Sequence, residues 1–135
     1  FALRSGSQLR PAGPRSATSA QYAAEIAEVQ NLGRSNSTTR TTDQTEIAYF
    51  WADGAGSYTP PGHWMEIAAQ VARTKPLSLF QDTELFTTLG VALADAAIVA
   101  WDAKYHYNQW RPITAIRQTT DPTWTPLLST PPFPD

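Results

Sequence analysis

The stretch Lys104-Tyr105-His106-Tyr107-Asn108-Gln109-Trp110-Arg111-Pro112 closes the longest apolar-faced segment of the chain and sets a lysine seven positions ahead of an Arg-Pro pair. Upstream of it, from about Ser78, the residues Phe80, Leu85, Leu89, Leu93, Ala96, Ala97, Val99 and Ala100 fall at helical spacing. They form a broad alanine-rich face that allows a neighbouring helix to come close. The spacing predicts one long helix over 79–109. Seven residues are near two turns, so Lys104 and Arg111 are expected on one face, roughly 10 Å apart along the axis. Pro112 biases Arg111 away from the α region, which puts the helix end at or just before Arg111.

Working outward, Tyr22, Ile26 and Val29 recur at three and four residues between Ser19, a candidate N-cap, and Gly33, a candidate C′ stop. A helix over 19–32 follows. Thr42 or Asp43, with Glu46 three residues after Asp43, can cap a second helix over 43–53 that carries Ile47, Phe50 and Trp51. Pro60 and Pro61 lead into a third over 62–74, which stops before Pro76. Residues 1–17 read as an extended lead-in, and 118–135 as a proline-rich end preceded by Ile113 and Ile116 on a short turn. Gly54-Ala55-Gly56 has no strand before it and reads as a flexible turn, not a phosphate loop. No alternating pattern marks a strand and no repeat is visible, so the predicted class is all-α, a single helical bundle over 1–135.

Composition bounds the function. The 135 residues are 41% hydrophobic and 16% charged, with 11 prolines and no cysteine. Disulfides, zinc-thiolate sites and thiol nucleophiles are thereby excluded. The net charge of −2 conceals a gradient. Residues 1–40 carry five Arg against Glu25 and Glu28, while 41–135 carry five basic against ten acidic residues. No basic run or basic-aromatic stripe is present, so a nucleic-acid partner is not expected. Gly90 to Trp101, interrupted by Asp95, is too short to span a bilayer. No signal peptide is visible. The compartment stays open, a soluble secreted or periplasmic protein being compatible. Asn36-Ser37-Thr38 fits a glycosylation acceptor but reads more simply as a solvated loop. The chain begins Phe1-Ala2-Leu3 without Met and stops on Pro131-Pro132-Phe133-Pro134-Asp135, which reads as a piece of something longer. A helix face left open would then be covered by a second copy or by the rest of the domain.

The residues with chemistry cluster late. A guanidinium offers a fork of donors to two oxygens of a tetrahedral oxyanion, and an ammonium supplies a compact charge, so Lys104 and Arg111 suit phosphate or a phosphate-like anion. The alternative is two cations near a helix C-terminus, favourable there without any ligand. Trp101, Tyr105, Asn108 and Trp110 surround the pair and could wall it off from water, or serve as core. Asp102 and His106, four apart, are expected to pair on the helix surface. His63, beside Gly62 and Trp64, reads as a buried hydrogen-bonded group near a helix start. Asp95 marks a buried polar contact or an edge.

Lys104 through Pro112 resembles the first motif, Lys-x6-Arg-Pro, of the superfamily of vanadium-dependent haloperoxidases and type 2 phosphatidic-acid phosphatases. Ile47-Ala48-Tyr49-Phe50-Trp51-Ala52-Asp53-Gly54, Tyr58-Thr59-Pro60-Pro61-Gly62-His63-Trp64, and Asp95-Ala96 ahead of Trp101 are similar to its soluble bacterial haloperoxidase-like branch. The resemblance covers roughly 1–135. It implies a helical fold like that of vanadium chloroperoxidase, with Lys104 and Arg111 binding oxygens of vanadate or phosphate and Trp101 close to the anion pocket. The family's second motif, Pro-Ser-Gly-His, and its third, Ser-Arg followed by Gly-x-His, are not found in these residues. They carry the acid–base histidine, another anion-binding arginine and the histidine that bonds vanadium or attacks phosphorus. The chain is therefore expected to hold half a site and an incomplete bundle.

The resemblance implies an oxyanion-binding enzyme acting on a small-molecule substrate: a haloperoxidase, in which bound vanadate takes up peroxide and oxidises halide, or alternatively an acid phosphatase. A reading from another class is a non-catalytic helical scaffold whose proline-rich end docks a partner in extended form.

Overall fold

The computed structural model describes residues 2–135. Among them the architecture is all-α: a 3-10 turn at Gly6–Leu9, then α1 (Ala20–Leu32), α2 (Thr42–Phe50), α3 (Thr59–Arg73), α4 (Leu79–Tyr107) and α5 (Pro112–Thr119). The only ladder pairing among the described residues is an isolated antiparallel bridge, Arg34 with Pro126.

Local chemistry sets most boundaries. Ser19 caps α1, its hydroxyl accepting the Tyr22 N–H at 3.1 Å. Gly33 closes α1 with φ −81°, in the right-handed region and not in the left-handed conformation expected of a C′ glycine. Its reason is space: a Cβ there would lie 2.6 Å from the Val29 carbonyl oxygen. The cap of α2 belongs to neither Thr42 nor Asp43. Thr41 accepts the Gln44 N–H at 3.1 Å and Gln44 accepts the Thr41 N–H at 2.9 Å, a reciprocal capping box one position earlier. The helix ends at Phe50, short of the expected 53, because Asp53 takes φ +40° and leaves the helical region. At α3 both prolines fit inside the first turn, where their missing N–H groups are not needed, so the helix starts at Thr59 and not at 62. Ser78 and Gln81 cap α4 by the same reciprocal device.

Two compact units divide the chain. The first comprises residues up to Arg10 together with Trp51–Asp102. In it Met65 of α3 reaches α4, where a methyl added at Gly90 would lie 3.5 Å from Met65 Cε. The lead-in, which carries the 3-10 turn, is tied to α4: the Ala2 N–H donates to Asp95 at 2.8 Å, and Arg10 makes a two-point ion pair with Asp102. Asp95 is thus a polar contact to the lead-in, while Asp102, expected to pair with His106, pairs instead with Arg10. Ala68 is the buried residue among the described residues of this unit. No residue of α4 is buried, and Leu79 and Phe80 stand 85% and 76% exposed. By length and composition alone the stretch Leu79–Thr119 would suffice to cross a membrane.

The second unit comprises Pro11–Phe50 and Ala103–Asp135. Here α1 packs on α5, and Ala115, Ile116 and Trp124 are buried to 2% exposure or less. The indole N–H of Trp124 donates to the Gln30 carbonyl at 2.9 Å. Residues 33–35 and 125–127 clasp each other, the Ser35 N–H on the Thr125 carbonyl and the Leu127 N–H on the Gly33 carbonyl, both at 2.8 Å. Arg40 donates to the carbonyls of Leu32 and Arg34 and to the Thr45 hydroxyl, which ties the end of α1 to α2. The proline-rich end folds back, with Leu127 and Leu128 half-buried beside Trp124 and α1.

The largest correction falls at the motif. The helix that was expected to run to 109 stops at Tyr107, because Asn108 takes φ +48°, a left-handed conformation that asparagine tolerates. Arg111 is not a helix exit. It is the N-cap of α5, a true eight-residue helix where a short turn was expected.

Candidate oxyanion site

Lys104 sits in the last turn of α4, and Arg111 sits at the start of α5 after a corner at Asn108. The two cations are therefore brought together by a bend and not by a shared helix face. They meet at Phe133. Its ring centroid is 4.5 Å from Arg111 Cζ and 5.8 Å from Lys104 Nζ, within the range where a cation is drawn to an aromatic face.

The Arg111 side chain is 19% exposed. Its Nε–H donates to the Phe133 carbonyl at 2.8 Å, and its NH1 approaches the Asp135 carboxylate at 3.4 Å. The Asp135 N–H in turn donates to the Gln109 carbonyl at 3.1 Å. Residues 133–135 thus lie as a strap across the guanidinium. Beside it opens a cleft of about 500 Å³ walled by Asn108, Trp110, Arg111, Ile113, Thr114 and the segment 130–134. Of the expected site residues Arg111 lines this cleft, while Lys104, Trp101 and Tyr105 do not; the cleft thus presents one guanidinium fork, suited to charge-assisted bonds, beside the Phe133 ring.

Trp101 and Tyr105 lie on α4, 43% and 63% exposed. His106 packs edge-on against Tyr107, ring centroids 4.8 Å apart. Tyr107 anchors the turn by donating its hydroxyl to the Pro11 carbonyl at 2.7 Å. In the other unit His63 is held near the start of α3, its Nδ1 2.9 Å from an Asp53 carboxylate oxygen, with Trp51 packed on its ring at 5.1 Å. It is the half-buried, hydrogen-bonded group that its position suggested. Sequence reasoning missed Phe133, Asp135 and Gln109. The signal available was a single aromatic flanked by prolines and followed by a carboxylate, which read only as part of a proline-rich end.

Comparison with known proteins accords with this helical architecture. Residues 84–135 match the family model described as VCPO second helical-bundle domain. The chain is 31% identical over 108 residues to vanadium chloroperoxidase of Curvularia inaequalis, covering 68% of this chain and 18% of that protein. It superimposes on the crystal structure of a bacterial vanadium-dependent iodoperoxidase with a TM-score of 0.84 at 35% identity, covering 98% of this chain and 34% of the other. The fold is that of a haloperoxidase helical domain. The chain is vanadium-haloperoxidase-like, and it spans about a third or less of the length of the relatives it matches.

Proposed function

We propose that this chain supplies the Lys104–Arg111 half of a vanadate site in a peroxide-dependent, halide-oxidising enzyme. The observation that carries the reading is the meeting of both cations on the Phe133 ring. The donor set fits a multiply charged tetrahedral oxyanion: it is cationic, one member is a planar fork, and Arg111 is largely shielded from water. Bound vanadate would supply a Lewis-acidic centre at which peroxide is activated toward halide. Arg111 would hold the anion and fix its orientation. Lys104 adds a compact charge that stabilises negative charge as it develops. Phe133 keeps water from the cations, and Trp101, one turn before Lys104, is the aromatic that the family resemblance puts near the anion. The names of the relatives, one a chloroperoxidase and one an iodoperoxidase, support the reaction class.

The test is vanadate titration by calorimetry into the full-length protein and its Arg111→Ala variant. Leaving a shielded anion without its partner costs about 2–5 kcal/mol, so the variant should bind about thirtyfold or more weakly. Arg111→Lys should recover only part, because the ammonium lacks the fork. Equal affinities would remove Arg111 from the site. Hydrolysis of a phosphate monoester, with no halide oxidation in the vanadate-loaded protein, would move the assignment to the phosphatases.

A further inference from the structure

Arg111 already has an anion. The Asp135 carboxylate stands 3.4 Å from its NH1, its Nε is occupied by the Phe133 carbonyl, and the strap that carries both groups is pinned by the Asp135 N–H on Gln109. A carboxylate presents two oxygens to a guanidinium much as a tetrahedral oxyanion does. The two partners differ in shielding: the Arg111 side chain is 19% exposed and that of Asp135 is 43% exposed. The cation is fixed, and the carboxylate lies toward solvent.

We propose that Asp135 is an internal counter-ion of Arg111, holding the guanidinium edge that an incoming oxyanion takes, so that anion binding proceeds by exchange with Asp135. The proposal rests on the oxyanion reading above and assigns a further residue to it. Asp135 acts through Arg111 as a positioning residue. Without an anion bound, it keeps the guanidinium compensated and aimed along the strap. When the anion arrives, two negative charges cannot share one fork at close range, and the carboxylate swings out to water. Orientation is thereby set in advance, at the expense of affinity. A carboxylate whose role is purely structural would have the opposite effect on binding when removed, since a loosened Arg111 binds less well.

The experiment titrates orthovanadate, and separately inorganic phosphate, into the full-length protein as wild type, Asp135→Asn and Asp135→Glu. Removing the competing charge should tighten Asp135→Asn by about tenfold. Asp135→Glu, which keeps the charge, should stay within about threefold of wild type. Asp135→Asn is isosteric at a partly exposed position, and its thermal unfolding midpoint should match wild type, which separates charge from misfolding. Wild-type binding together with equal or weaker binding by Asp135→Asn would overturn the counter-ion role and leave the oxyanion site standing. No binding by any of the three would overturn both.

Discussion

Replacing Trp124 tests the core of the second unit, where burial is confined to very few side chains. Trp124 is 2% exposed beside Ala115 and Ile116, its ring closes on Gly33, and its N–H satisfies the Gln30 carbonyl at 2.9 Å. Trp124→Ala removes the largest buried side chain and leaves a cavity that little else is positioned to fill. Substitutions of this kind cost about 3–5 kcal/mol, which at about 4 °C per kcal/mol lowers the midpoint by roughly 15 °C. Trp124→Phe keeps most of the apolar volume but orphans the Gln30 carbonyl, worth about 1–2 kcal/mol. The assay is urea unfolding of wild type and both variants, with the slope checked for constancy. A loss under about 1 kcal/mol for Trp124→Ala would refute the assignment of this residue as the centre of the core. A Phe variant as stable as wild type would refute the structural weight given to the indole hydrogen bond alone.

Arg40→Ala should cost about 1.5–3 kcal/mol, because three acceptors at the α1–α2 junction lose a charged donor; Arg40→Lys should recover under half in the same urea assay, having no fork to span them. The Asp121 carboxyl is held below the usual carboxylate range, first by the Thr123 hydroxyl, then by the Thr123 N–H and by Arg34. A depressed folded pKa stabilises the fold above the unfolded value and is lost as pH falls through the folded one, so the clasp should loosen on acidification. Carbon-detected titration of Asp121 in Thr123→Val should show that pKa move upward; an unmoved value would assign the depression elsewhere.

Residue type and spacing disclosed a good part of this. Ser19 and the Tyr22, Ile26, Val29 period fixed α1, and Ser78 with the long apolar face fixed the start of α4, because helix signals are local. Lys104 and Arg111 stood out through their own chemistry. What failed was geometry decided by one backbone torsion: Asn108 carries no mark that separates a helical asparagine from one at φ +48°, yet that choice turns a shared face into a corner. Asp102 misled for a related reason. A neighbour four residues away was visible in the sequence, whereas Arg10, which binds it, lies more than ninety residues earlier. Phe133 and Asp135 join the site only through folding of the 118–135 segment, which no periodicity announces.

The clasp between residues 33–35 and 125–127 carries a cost measured in time. Arg34 and Pro126 pair across about ninety residues, and Trp51–Asp102, which build the other unit, lie inside that interval. Closing the longer loop costs little at equilibrium, about 0.7 kcal/mol more than if the inserted segment were absent. Synthesis is less forgiving. At about 5–20 residues per second, the ribosome takes roughly 5–20 s to deliver Pro126 after Arg34 has been made. Through that interval α1 has Tyr22, Ile26 and Val29 ready and its partners α5 and Trp124 still unmade. The nascent chain therefore keeps an amphipathic helix unpartnered for seconds, long enough for a chaperone, or a neighbouring nascent chain, to find it first.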